Sequence, residues 1–344
     1  MIATNRFSTI MAGLLIAGIT PVKADLVVLQ YHHVSDSTPA STSTEVDLFQ
    51  GQLDMIDELG LEVVALESGT RQALEGRSDD LQQIAITFDD AYDSVYETAK
   101  PLLEEKGYPY TVFVNTDAVG GNGYMTWEEL EDIRDDEGVT IANHSKDHDH
   151  LVQRPEESER AWRNRIEISL DDAQDALENR LGVAPPLFAY PYGESSEPLE
   201  AMLSDRGWLG YGQQSGAIGS HSLNTRLPRF PMATSYGQLG NLKTKLTSKA
   251  LPVDAGQLGD PVMDENPPTL SFQLPKDMDA GRLTCFASGQ GKIEVDAASD
   301  GRVSVQSPSA FDSRRFRYNC TYPAGKGIFY WLSHQYLNPS QPED

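Results

Sequence analysis

The chain has 344 residues, enough for one large domain or two modest ones with a sizeable core. Hydrophobic residues make up 39% and charged residues 23%, a globular balance that excludes long disorder and a polytopic membrane protein. The charge is unusual: 27 Lys and Arg against 52 Asp and Glu leave a net of −25, a field that repels nucleic-acid phosphates and anionic lipid surfaces.

Met1–Ala24 reads as a secretory signal peptide, with Arg6 in its basic region and an apolar run from about Ile10 to Ile19. Val22-Lys23-Ala24 supplies the small residues of a cleavage site. The run is about half of the roughly 20 residues that span a bilayer, so cleavage is expected over anchoring. Removing it takes away Arg6 and Lys23 and no acids, which leaves 25 basic residues against 52 acidic and a net of −27. No later stretch is long and apolar enough to cross a membrane, so the product is expected to be periplasmic or secreted.

From Asp25 to about Ala250, short apolar runs alternate with longer amphipathic stretches. Strands are expected at Leu26–Gln30, Leu61–Leu66, Ile84–Phe88, Thr111–Val114, Val139–Asn143, Leu187–Tyr190 and Leu227–Phe230, all rich in β-branched and aromatic residues. Helices are expected near Phe49–Leu59, near Ser94–Lys106 with Gly107 as stop, from Thr126 with a capping box to Glu129, and from Pro155 to Leu181 with Gly182 as stop. This alternation predicts parallel strands in an α/β sheet or barrel.

Residues 251–268 hold four prolines and two glycines and show no periodicity, as a linker or extended connection would. From 269 to 344 the apolar residues alternate with period two: Leu270, Phe272, Leu274; Ile293, Val295; Val303, Val305; Phe316, Tyr318, Cys320; Ile328, Tyr330, Leu332. That pattern predicts a small all-β sandwich. The only cysteines, Cys285 and Cys320, both fall there. In an oxidising compartment they are expected to pair, contributing roughly 4 kcal/mol in the chain-entropy model; the alternative is two free buried thiols. Among the aromatics of this region, an exposed row would suit sugar stacking, while alternate positions suit a core.

The chemistry-bearing residues stand where predicted strands stop. Ile84–Phe88 runs straight into Asp89 and Asp90, two like charges whose mutual cost a cation would relieve; the plain alternative is a turn or helix cap. Val139–Ala142 runs into Asn143-His144-Ser145-Lys146-Asp147-His148, whose two imidazoles share one face of a helical turn; the alternative is a pair of solvated loop histidines. Phe188-Ala189 runs into Tyr190-Pro191-Tyr192-Gly193, a turn that either faces a ligand or is simply plugged by an aromatic. Together, one Asp and two His make the three protein ligands of a catalytic zinc site, and the second carboxylate makes a general base. In a β/α barrel the active site gathers at such strand ends.

In order and spacing, Thr87-Phe88-Asp89-Asp90, His144-Ser145-x-x-His148 and Pro191-Tyr192-Gly193 resemble the first three motifs of the polysaccharide deacetylases, the nodulation-protein-B homology group or carbohydrate esterase family 4. The likeness covers roughly residues 25–245. It implies a distorted (β/α) barrel holding a divalent metal, usually zinc. By this resemblance Asp90, His144 and His148 match the metal ligands and Asp89 the base that deprotonates the metal-activated water. The backbone N–H of Tyr192 matches an oxyanion donor, and Ser145 a residue that fixes its loop.

Two family features are displaced. The arginine usually found a few residues before Pro-Tyr-Gly is missing from Pro185–Tyr190, and no Leu-x-His motif stands inside the barrel. Leu332-Ser333-His334 matches the latter only literally, in the C-terminal region. Both Phe-Ala-Tyr-Pro-Tyr-Gly-Glu and the opening Tyr31-His32-His33-Val34 resemble the branch that acts on exported poly-β-1,6-N-acetylglucosamine. His32 is therefore the expected catalytic acid, with His33 and His221 behind it. Arg229 is expected to replace the missing arginine or to orient an acid, and Tyr190, Pro191, Arg229 and His221 form the candidate substrate-binding set. The implied function is removal of N-acetyl groups from an N-acetylhexosamine polysaccharide. The alternatives are a peptidoglycan, chitin-type or O-acetyl substrate, or a catalytically silent carbohydrate-binding protein.

Overall fold

A computed structural model describes residues 25–77 and 82–343. The expected signal peptide, residues 1–24, lies outside them. The first sheet contains β1 (Leu26–Tyr31), β2 (Gln83–Asp89), β3 (Tyr110–Val114), β4 (Val139–Asn143), β5 (Leu187–Ala189) and β6 (Leu209–Tyr211), parallel neighbours in that order. β7 (Ala217–Ile218) lies antiparallel on the free side of β1. All residues of β1 and β2 are buried, as sheets covered on both faces require.

The ring is closed by the segment that reaches β8 (Phe230–Pro231). Leu227 bridges to Tyr211 of β6, and β8 pairs in parallel with Leu29 and Gln30 of β1. Arg229 stands between these two contacts and so spans the seam of the barrel. The sequence-predicted strand Leu227–Phe230 is this closing strap, shorter in ladder than expected because each half pairs with a different neighbour.

The helices are α1 (Val46–Glu58), α2 (Leu66–Leu74), α3 (Lys100–Lys106), α4 (Trp127–Arg134), α5 (Glu159–Leu181), α6 (Glu197–Asp205) and α7 (Leu239–Leu246). The capping box that opens α4 is formed from both sides, and left-handed Gly107 and Gly182 end α3 and α5. One strand expectation is corrected: of Leu61–Leu66 only Glu62–Val63 is extended, and Leu66 already begins α2. Leu66, Gly69, Thr70 and Ala73 are its buried face, a helical spacing that overrides the local β-propensity.

The C-terminal strands form two sheets around a shared core. One holds Lys249–Ala250 together with β10 (Thr284–Ala287), β11 (Gly291–Ile293), β14 (Arg315–Gly325) and β15 (Ile328–Leu337). The other holds β9 (Thr269–Gln273), β12 (Val295–Ala297) and β13 (Arg302–Gln306). Cys285 and Cys320 face each other across β10 and β14 and are disulfide-bonded at 1.98 Å. Residues 251–268 do not hang free: Leu251, Val253 and Leu258 are buried in this core. Phe316, Tyr318, Tyr322 and Tyr336 are core residues too, so these four are not part of an exposed stacking row. Trp331 instead packs edge-on against Phe230 of the closing strap, with ring centroids 5.2 Å apart.

Candidate metal centre and cleft

β2, β4 and β5 end at the same edge of the parallel sheet, with β3 between β2 and β4, and the three motifs converge there. One ligand atom from each of Asp90, His144 and His148 lies within 4.8 Å of the others. His144 Nε2 is 3.4 Å and His148 Nε2 3.3 Å from Asp90 Oδ1. His144 Nδ1–H donates to the Ala189 carbonyl at 2.8 Å, which leaves the lone pair of Nε2 aimed at Asp90. Both His144 Nε2 and Asp90 Oδ1 are buried without a hydrogen-bond partner. Buried polar atoms of that kind are costly unless something fills the gap, and a divalent cation fits this donor set.

The electrostatics agree. Burial opposes the charge on Asp90, yet His144, His32 and His148 hold it below the usual carboxylate range. Burial pushes His144 toward its neutral form, but Asp89 and Asp90 outweigh that and raise its pKa. Burial and then His144 push His148 down to about 4, so it stays neutral and able to ligate. The cluster attracts positive charge.

Asp89 is fully buried and held differently. Arg229, itself fully buried, grips it with both arms: Nη1 to Oδ1 at 2.7 Å and Nη2 to Oδ2 at 2.8 Å. Gln30 Nε2 donates a third bond to Oδ2 at 2.7 Å. Burial works against ionisation of Asp89, but the Arg229 guanidinium, with His144 and His32, outweighs it and holds the carboxylate below its usual range. Arg229 Nε in turn donates to the Gly212 carbonyl at 2.9 Å.

The loops that carry these side chains are strained. Asp90, Ala91, Ser145, His148 and Tyr192 all have φ between 53° and 74°, and the one other such non-glycine among the described residues is Lys326. The left-handed region costs about 1–2 kcal/mol per residue, so surrounding bonds must enforce it. Asn143 anchors through Leu170 O and Gln174, Ser145 N–H donates to Asn143 Oδ1, and Ser145 Oγ accepts the His148 N–H. At Gly193 a Cβ would meet Gln213 at 2.8 Å, which makes glycine obligatory in the Pro-Tyr-Gly turn.

Residues 76–208 match the family model described as polysaccharide deacetylase. Over these residues the chain belongs to the polysaccharide deacetylases. It is 22% identical over 202 residues to the Bacillus subtilis (strain 168) protein YxkH, whose name places it in the same family; the match covers 58% of this chain and 68% of that one. It is 21% identical over 314 residues to the poly-beta-1,6-N-acetyl-D-glucosamine N-deacetylase of Escherichia coli (strain K12), covering 77% of this chain. It spans 46% of that relative, about half its length. The Streptococcus pyogenes deacetylase PplD in complex with acetate shares the fold, with a TM-score of 0.58 and 21% identity over 66% of this chain and 99% of that one.

Of the expected site residues, the deacetylase brings Asp89, Asp90, His144, His148 and Arg229 into one cluster. Half-buried His32 and Tyr192 line the cleft beside Asp90 and His148. Others are not brought there. Tyr190 is fully buried with its hydroxyl donating to Thr225 O, and Pro191 is buried beneath the turn. His221 is exposed and lines, with His334, a separate crevice against the C-terminal strands. His33 stacks on Tyr92 at 3.6 Å, a packing role.

Three features were not expected from the sequence: Gln30, the Glu194 cluster, and the contribution of the C-terminal strands to the cleft. Glu194 follows the Pro-Tyr-Gly turn directly, and that adjacency was its one signal. It is buried and accepts from Arg314 at 2.8 and 3.0 Å, from Arg315 at 2.8 Å and from His150 Nδ1 at 2.9 Å. His150 stacks on Tyr192 at 4.0 Å, so β14 braces the turn of the site through this carboxylate.

Burial disfavours the Glu194 charge, but His150, Arg314 and Arg315 more than offset it and hold the carboxyl at about 2. A depressed carboxyl contributes stability that is complete above its ordinary pKa of about 4.5 and is lost as pH falls toward 2. Glu194→Gln should therefore lower unfolding stability at pH 7 by about 3–5 kcal/mol and flatten the acid limb of stability against pH. Denaturant titrations of both proteins between pH 7 and pH 2 check this; parallel curves would refute it.

Proposed function

We propose that the chain is an exported metal-dependent deacetylase that hydrolyses N-acetyl groups on an N-acetylhexosamine polysaccharide. In this reading residues 1–24 are removed as a signal peptide, residues 25–250 are the catalytic barrel and residues 269–344 the β-sandwich domain. Among the described residues no helix is long and apolar enough to cross a membrane. One observation carries the activity: an Asp-His-His cluster, in which buried Asp90 and His144 present orphaned ligand atoms, stands directly beside a second carboxylate clamped by arginine.

Asp90, His144 and His148 would hold the ion, and two imidazoles with one carboxylate suit zinc. When bound, such an ion polarises a carbonyl and lowers the pKa of a water toward about 7. We assign Asp89 as the base that takes the proton of the attacking water, with Arg229 and Gln30 fixing its oxygens. The Tyr192 backbone N–H is assigned to the oxyanion that develops on the acetamide. His32 is assigned as the acid that protonates the departing sugar nitrogen. Water adds across the C–N bond, acetate leaves and the sugar keeps a free amine.

The purified protein should contain about one zinc per chain and release acetate from at least one of a panel of N-acetylated glycans. His144→Gln should weaken metal affinity by more than the roughly 10–100-fold cost of losing an outer-shell partner, and abolish acetate release. A wild-type protein that holds metal but releases acetate from no glycan would overturn the reading.

A further inference from the structure

The cleft beside Asp90 and His148 is a cavity of about 900 Å³, and the C-terminal strands supply part of its lining. Arg315, Arg317, Asn319 and Trp331 line it together with His32 and Tyr192, and the Arg315 guanidinium lies over the Tyr192 ring, 5.1 Å from its centroid. Among the described residues, Asp90 is the only carboxylate in the lining, against three cations: Lys245, Arg315 and Arg317. That balance is the reverse of the whole chain, where acids outnumber bases 52 to 27.

Among the described residues, two of these cations have no carboxylate partner. Arg317 Nη1 donates to the Gln213 carbonyl at 3.1 Å, and the Lys245 ammonium donates to the Tyr236 carbonyl. Tyr236 neighbours both, and its phenol, neutral at pH 7, supplies no counter-charge. Elsewhere the arginines near the cleft are matched with acids: Arg229 with Asp89, Arg226 with Glu200, Arg314 with Glu194. Burying a cation without its counter-charge is costly, and a chain this rich in acids has partners to spare. Burial pushes Lys245 down to about 8, which still leaves it mostly charged at pH 7, and arginine stays charged throughout.

We propose that Lys245 and Arg317 form a subsite for an anionic group on the polymer, so that the substrate is an acidic N-acetylated glycan. The group is a carboxylate or phosphate carried on a sugar near the one that loses its acetyl group. The planar guanidinium suits either anion, and the ammonium adds a point charge in the same cavity. The inference rests on the deacetylase reading and narrows its substrate class.

Two probes of equal length separate the outcomes: a neutral N-acetylglucosamine hexamer and a hexasaccharide in which N-acetylglucosamine alternates with glucuronate. Calorimetry with the zinc-loaded protein should find the acidic oligomer bound about tenfold tighter at low salt, with the advantage shrinking as salt rises. Inorganic phosphate should compete with the acidic oligomer if the pocket also takes phosphate, and fail to compete if it is selective for carboxylate. Arg317→Gln combined with Lys245→Gln should bring the affinity ratio to about one, while Arg317→Lys keeps part of it. Equal affinity for the two oligomers, no binding of either, or a ratio untouched by the double variant would overturn the subsite. Acetate release is read separately. A preference for the acidic oligomer without release from any glycan would sink the deacetylase reading and leave the anion site standing.

Discussion

Asp89→Asn should keep its metal and lose turnover by about 10²–10⁴-fold, the usual contribution of a general base. The metal should stay because Asp90, His144 and His148 supply the ligand atoms and Asp89 points instead into the grip of Arg229 and Gln30. Asparagine has nearly the same shape but cannot take a proton at neutral pH. It also leaves the buried guanidinium facing a neutral amide, so some stability should be lost as well. Metal content and kcat measured on the same sample separate the two effects. A variant that loads zinc and hydrolyses at the wild-type rate would remove Asp89 from the role of base.

The second large effect is expected at Arg229. Arg229→Gln leaves Asp89 fully buried with its main counter-charge gone, a change that typically costs 3–5 kcal/mol. Arg229→Lys restores the charge but cannot reproduce the two parallel bonds to Asp89 or the bond to Gly212 O. Arg229 touches no reacting atom in this scheme, so it is a positioning residue. The lysine variant should fold, bind metal normally and show kcat reduced by about 10–100-fold with KM little changed. A lysine variant with full kcat would mean that Arg229 serves stability alone. One with unchanged kcat and raised KM would mean that it contacts the glycan, as the sequence reading allowed.

The acidity of the chain acquires a local exception. A net charge of −25 suits a solvated surface, but the cleft wall built by α7 and β14 is basic. The overall field therefore says little about what the site takes in. Field lines inside a cleft are set by the few groups that line it.

Much of the site was legible because each motif is local. Metal ligation calls for particular residue types within a few positions of a strand end, and Asp89-Asp90 and His144 to His148 satisfy that within single loops. Strand and helix periods likewise exposed the alternating barrel and the C-terminal sandwich, since burial on one or both faces leaves a repeat in the chain. The short closing strap was harder to read: its two halves pair with different strands, so neither carries a full period.

The sequence by itself determined the residue types, the strand-end positions of the candidate metal ligands and the pair of cysteines. Only the tertiary structure decided which distant groups support them. Arg229 lies 140 residues from Asp89, and the two meet because the strap carrying the arginine closes the barrel over the end of β2. Arg314 lies 120 residues from Glu194, and they meet because the β-sheet module docks on the turn of the site. Lys245 and Arg317 become neighbours of one cavity by the same docking. Charge pairs of this kind leave no period in the sequence, because a guanidinium needs only to arrive within about 3 Å of its carboxylate, whichever part of the chain delivers it.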